Sequence, residues 1–232
     1  MTDGVLNSKG RKKVALIANR VFHGEDSDFE PENSEPDQIE AELHEMVENE
    51  GFETVIPEEA PSGTARKPYL IPSYLLSTDG EYVVKFARYK RGGTSGPQKG
   101  RIQNECEIQI WESLNADQQK FFIPIRDYDE CYFWLVMDRA DVFSDDNPED
   151  AYCIGDLSLT YGPEELNDVV QNMKNSGVKP GDQAGSFGYH NGELKCLDYG
   201  TGTKWYQGFS NQERIVKDWG DYDSEHPRDI NN

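Results

Sequence analysis

Between residues 25 and 59 the chain carries fifteen acidic residues and no Lys or Arg, with Pro31, Pro36 and Pro57 interposed. Such a run repels itself and holds too little apolar surface to offset the entropy of ordering, so it predicts a disordered segment. Residues 37–49 are the exception, because Ile39, Leu43, Met46 and Val47 recur at helical spacing behind the start signal Ser34-Glu35-Pro36-Asp37. That helix either docks on the folded domain or binds a partner. Ahead of the run, Lys9, Arg11, Lys12 and Lys13 form a basic cluster, and the apolar residues 14–18 that follow fit a strand or one helical turn equally. The first sixty residues therefore read as a basic and then acidic arm, partly disordered, available to a protein partner.

The acid is not confined to the arm. Over 232 residues, 44 Asp and Glu stand against 23 Lys and Arg, a formal net charge of -21, and hydrophobic residues make up 35%. A field of one sign this strong repels nucleic-acid phosphates and anionic membrane surfaces, so any basic site has to be local. No stretch approaches the roughly 18 apolar residues that span a bilayer, and residues 1–20 lack the apolar core of a signal peptide, which implies a cytoplasmic protein. Scarce Lys and acid in nearly every loop resemble proteins adapted to high internal salt, and suggest a halophilic archaeon or its virus. Cys106, Cys131, Cys153 and Cys196 stand singly, with no zinc or disulfide spacing.

Order is expected from Lys67. The apolar residues 69–76, the turn signal Asp79-Gly80 and the strand formers of 82–87 predict a β-hairpin. A Gly-rich basic loop over 88–101 leads into a helix over 102–114 whose inner stripe is Cys106, Ile110, Trp111 and Leu114. Residues 121–128 and 132–137 predict two more strands, and the acidic stretch 144–150 a linker. A second helix is expected over 163–174, with Leu166, Val169, Val170 and Met173 facing inward and Asn175-Ser176-Gly177 ending it. Asn191-Gly192, between 187–189 and 194–198, is the strongest short hairpin signal in the chain.

Four motifs follow one another along the chain. Lys85 lies on a strand between Val84 and Phe86, and Glu107 lies on the following helix, with Glu105 as the other candidate. A strand over 131–138 ends in Met137 and Asp138, and a later hairpin ends in Asp198-Tyr199-Gly200. The order resembles that of small, divergent kinase-like proteins of phages and archaeal viruses, over about residues 62–203. The resemblance implies that Lys85 contacts nucleotide phosphates and is held by Glu107. It implies that Met137 backs the adenine pocket and that the backbone of Asp138 to Ala140 offers adenine one acceptor and one donor. Asp198 would hold magnesium, a hard cation that takes carboxylate oxygen.

The catalytic loop admits two alignments. With Val178-Lys179-Pro180 on the family's Leu-Lys-Pro, Gly177 occupies the base position and Asp182 the metal-binding Asn position. With Ser186-Phe187-Gly188 on Asn-x-Gly, Ser186 takes the Asn position and Gly181 the base position, with Asp182 one residue away. A loop one residue short would make Asp182 the base and let Ser186 donate an oxygen to the metal. No GxGxxG precedes the first hairpin, and only 32 residues follow Gly200, too few for the helices that hold a protein substrate.

The implied fold is α+β: a two-lobed kinase-like architecture with a small antiparallel sheet and one helix in the N-lobe (61–140), a reduced C-lobe (141–220) and a polar tail (221–232). The implied function is ATP and magnesium binding with transfer of the γ-phosphoryl group to a hydroxyl. The alternative is a pseudokinase, without transfer, that serves as an interaction or structural module. The basic run over 85–101, with Lys85, Arg88, Lys90, Arg91, Lys99 and Arg101, could bind phosphates or be a solvated loop.

Overall fold

The computed structural model describes residues 4–23, 36–55, 66–87, 99–143, 153–154, 160–161, 164–178 and 186–199. They form a mixed α+β protein with antiparallel sheets and several helices, divided into two compact units. One unit takes in the chain up to Asn104 together with Arg126–Met137; the other takes in Glu105–Ile125 and the described residues from Asp138 on.

The first unit opens with α1 (Ser8–His23) and α2 (Pro36–Asn49). Residues 14–18, equally a strand or a turn by periodicity, lie inside α1, where Gly10, Val14, Ile17 and Ala18 make a buried stripe at helical spacing. Asn7 starts the helix: its Oδ1 accepts the Gly10 N–H at 2.8 Å, and its Nδ2 donates to the carbonyls of Tyr74 and Leu76 at 3.0 Å each. α2 falls where the spacing of Leu43, Met46 and Val47 predicts it. Gly51, at φ 74°, ends it, with Phe52 N–H on the Val47 carbonyl (2.9 Å) and Gly51 N–H on the Glu48 carbonyl (2.8 Å).

The sheet follows, with β1 (Glu53–Thr54), β2 (Arg66–Leu70), β3 (Tyr82–Ala87), β4 (Ile125–Tyr128) and β5 (Trp134–Asp138) in the order β1-β2-β3-β5-β4. β2 and β3 pair antiparallel from Arg66↔Ala87 to Leu70↔Val83, so the predicted hairpin forms. Its connection is longer than a tight turn, because the second half of the apolar stretch becomes a short 3-10 turn (Ser73–Leu75) that buries Leu75.

The described residues among the first sixty contribute to the core of the first unit. Val5, Leu6, Val14, Ile17, Leu43, Val47 and Phe52 share one core with Tyr69, Val84, Phe86, Trp134 and Val136 of the sheet. Composition averaged over this stretch counts the exposed acids and hides the buried stripes. With Leu43 and Val47 in the core, the exposed residues of α2 over 41–49 include Glu45 and Glu48. Residues 25–33, expected to be disordered, lie outside the described residues.

α3 (Lys99–Ser113) contributes its residues up to Asn104 to this first unit. Arg101 is buried: its Nε donates to the Cys131 carbonyl at 2.8 Å and its guanidinium lies 4.4 Å from the Phe133 ring centre. Asn104 accepts from Arg66 Nη1 (3.3 Å) and donates to the Tyr132 carbonyl (2.8 Å). Tyr132 has φ 64°, and these side chains satisfy the carbonyls of its irregular turn.

In the second unit, Cys106, Ile110 and Leu114 of the expected stripe are buried and Trp111 is half-buried. α4 (Ala116–Gln119) is opened by a capping box between Asn115 and Gln118. β6 (Asp141–Val142), β7 (Cys153–Ile154) and β8 (Thr160–Tyr161) are short, and α5 (Glu164–Asn175) buries Leu166, Val169, Val170 and Met173 as predicted. Gly177 ends α5 at φ 72°, with Val178 N–H on the Met173 carbonyl at 2.8 Å.

β9 (Phe187–His190) and β10 (Glu193–Cys196) pair about Asn191 (φ 53°) and Gly192 (φ 78°), the two left-handed residues of the predicted hairpin turn. β6 pairs with the other edge of β9; the expected linker, residues 144–150, lies outside the described residues. Among the described residues no helix is long and apolar enough to cross a membrane.

Candidate functional site

Lys85 sits in the middle of β3 with 9% of its surface exposed. Its neighbours Val84 and Phe86 face the core shared with α1 and α2, so strand alternation turns Lys85 to the other face with Val83 and Ala87. The adjacent strand β5 alternates in step. Trp134 and Val136 join the same core, which leaves Met137, also buried, on the face that carries Lys85. Within the first unit, then, one sheet face brings together the lysine and the methionine that the sequence singled out.

The second unit holds Glu107, Asp138, Ala140, Ser186 and Asp198. Glu107 is fully buried on α3, and its Oε1 accepts the backbone N–H of Tyr199 at 3.2 Å. This ties the helix glutamate to the residue after Asp198. Tyr199 is held further by its hydroxyl, which donates to the Ile123 carbonyl at 3.3 Å, and by its ring, edge-on to Phe122 at 5.0 Å.

The strand leading to it is laced on both sides. Cys196 N–H donates to the Phe121 carbonyl and Ile123 N–H to the Cys196 carbonyl, each at 2.9 Å, and Leu197 N–H donates to the Ser186 carbonyl at 2.8 Å. Leu197 and Tyr199 are buried on either side of Asp198, which keeps partial access to solvent. The backbone on both sides of the Asp198 carboxylate is thereby fixed.

Magnesium commonly takes one or two carboxylates and completes its shell with phosphate oxygens and water. The Asp198 carboxylate and the Ser186 hydroxyl are oxygen donors of the right kind, on segments joined by the Leu197–Ser186 backbone bond. These two are the described residues of the expected metal set that could supply oxygen to a magnesium. Among the described residues no group of three or more His, Cys, Asp or Glu could hold a metal by itself. Asp182 lies outside the described residues.

The stretch from Asp138 onward is zipped to β9. Asp138 N–H donates to the Pro124 carbonyl at 3.2 Å, Asp141 and Val142 pair with Tyr189 and Gly188, and Phe143 N–H donates to the Phe187 carbonyl at 3.0 Å. Gly188 is required there, because a Cβ on it would stand 2.5 Å from the Asp141 carbonyl oxygen. At the end of β9, His190 Nδ1 lies 2.9 Å from the Arg139 carbonyl, and Nε2 lies 3.3 Å from Asp138 Oδ2 and 2.9 Å from Asn191 Nδ2. Sequence reading missed His190: nothing local to it signals a partner 51 residues away.

Of the basic run over 85–101, Arg88, Lys90 and Arg91 lie outside the described residues. Lys85 and Arg101 are both buried, and the Arg101 guanidinium is spent on the Cys131 carbonyl and the Phe133 ring. The burial removes them from any surface that binds nucleic-acid phosphates. Elsewhere in this unit, the buried Lys195 donates to Glu193 Oε2 at 2.7 Å and to the Lys120 carbonyl. The hydrogen bond from Lys195, with its charge, holds the Glu193 carboxyl below its usual range.

Compared with protein families and with curated proteins, the chain matches no family model and no curated sequence.

Proposed function

We propose that the chain is a small protein-kinase-like protein that binds ATP with magnesium and transfers the γ-phosphoryl group to a hydroxyl acceptor. The observation that supports this best is the bond from Tyr199 N–H to the buried Glu107 carboxylate at 3.2 Å. It joins two of the motifs, 92 residues apart in sequence, within one compact unit, and it fixes the backbone next to Asp198. In phosphoryl transfer the protein mainly positions groups and neutralises charge. Lys85 supplies positive charge to the phosphates, Asp198 and Ser186 supply oxygen to the metal, and Met137 with the backbone of Asp138 to Ala140 receives adenine. Asp182 takes the acceptor proton.

Transfer is tested by incubating the protein with labelled Mg-ATP and following label into the protein itself or into added polypeptide acceptors. Wild type is expected to transfer and Asp182→Asn to bind Mg-ATP without transfer, because a base acts on the acceptor and not on the nucleotide. Lys85→Ala and Asp198→Asn are expected to lose Mg-ATP binding. Equal labelling by wild type and Asp198→Asn would sink the assignment.

One feature favours a second reading, a nucleotide-binding pseudokinase. In both alignments of the catalytic loop a glycine, Gly177 or Gly181, stands at the base position. Binding of Mg-ATP without any label transfer would establish that reading in place of the first.

A further inference from the structure

The His190 ring reaches a segment 51 residues away in the chain. A carbonyl oxygen can only accept, so the 2.9 Å approach of Nδ1 to the Arg139 carbonyl means that Nδ1 carries the proton and donates it. This bond is available to the neutral ring and to the imidazolium alike. Nε2 has two neighbours, Asp138 Oδ2 at 3.3 Å and Asn191 Nδ2 at 2.9 Å. Protonated, it donates to the carboxylate; unprotonated, it accepts from the amide. In either state the ring grips the connector at Arg139.

The Arg139 carbonyl and the Ala140 N–H belong to one peptide unit. No cis peptide occurs among the described residues, so in this planar trans unit the carbonyl and the N–H point in opposite directions. Holding the carbonyl on His190 therefore aims the Ala140 N–H away from β9. The rest of the connector is held by backbone bonds to Pro124 on one side and by the pairing of Asp141 and Val142 with β9 on the other. The Arg139–Ala140 peptide lies between these two anchors, and the His190 ring holds its carbonyl.

We propose that His190 is a positioning residue for base recognition: it orients the Arg139–Ala140 peptide so that the Ala140 N–H is presented to the N1 acceptor of a bound adenine. The proposal rests on the nucleotide-binding reading above, and it goes beyond it in assigning base readout to a side chain that touches no ligand.

The test compares dissociation constants of Mg-ATP and of Mg-1-deaza-ATP, in which N1 is replaced by C–H, for the full-length wild type, His190→Ala and His190→Gln. One hydrogen bond to the base is worth about five- to tenfold in affinity, so wild type should bind the deaza analogue ~5–10 times more weakly. In His190→Ala that ratio should fall to about one, because the N–H is no longer aimed at N1. His190→Gln, whose amide N–H can reach the same carbonyl, should restore the preference in part. A merely structural loss would weaken both nucleotides equally and leave the ratio at its wild-type value, and that result overturns the proposal. So does a wild-type ratio near one with ATP still bound, which leaves the nucleotide reading standing. Failure of wild type to bind either nucleotide overturns both.

Discussion

The carboxylate of Glu107 accepts the backbone N–H of Tyr199 at 3.2 Å, and Glu107 has no exposure to water. Removing the acceptor would leave the buried Tyr199 N–H unpaired, which costs about 1–3 kcal/mol. Glu107→Ala should accordingly lower unfolding stability by about 2–4 kcal/mol, from an orphaned N–H together with the space left behind. Glu107→Gln keeps an oxygen in place and should lose about 1 kcal/mol or less. Urea titration of the three proteins checks the order; equal losses would mean that the bond carries no stability.

Arg101 makes a second test of buried polar chemistry. Its guanidinium donates to the Cys131 carbonyl and stacks over Phe133, so Arg101→Ala should cost about 2–4 kcal/mol. Arg101→Lys keeps the charge and loses the planar fork, and should recover only part of the loss. Recovery of full stability by lysine would show that charge alone matters at this position.

Gly188→Ala should loosen β9 from β6, because the new methyl would stand 2.5 Å from the Asp141 carbonyl oxygen, which is backbone and cannot swing aside. The expected loss is about 1–3 kcal/mol. Faster amide exchange at Phe143, whose N–H donates to the Phe187 carbonyl, should accompany it.

Acid should weaken the β10 edge in a defined direction. The hydrogen bond from Lys195 lowers the Glu193 carboxyl, so its folded-state value lies below its unfolded one. Its stabilising contribution is then present above the unfolded carboxylate range and lost as pH falls through the lowered folded value. Glu193 is exposed, so water and salt screen the effect. Glu193→Gln should flatten this part of the acid limb of the stability profile while leaving the neutral limb unchanged. An identical acid limb in wild type and variant would contradict the assignment.

What could be read from the sequence was what is encoded locally. Leu166, Val169, Val170 and Met173 of α5 fall inside as their spacing requires, and Asn191-Gly192 turns the β9–β10 hairpin at positive φ. The first unit was harder. Val14, Ile17, Leu43 and Val47 share their core with Tyr69, Val84, Phe86, Trp134 and Val136, which no window confined to residues 1–60 contains. The same holds for the candidate site. Lys85, Glu107 and Asp198 stand in ordered motifs that a reader of the sequence can line up, whereas the bond between Glu107 and Tyr199 spans 92 residues and that between His190 and Arg139 spans 51. Neither leaves a mark in local composition.

The measurement that bears most directly on the nucleotide reading is the unfolding free energy of the full chain with and without Mg-ATP, for wild type and Asp198→Asn. A ligand that binds only the folded state raises stability by RT ln(1 + [L]/Kd), about 2.7 kcal/mol at a hundredfold excess over Kd. The account predicts a gain of that order for wild type, dependent on magnesium and on nucleotide concentration, and little or none for Asp198→Asn. A wild-type protein whose stability is the same in saturating Mg-ATP as in buffer would contradict it.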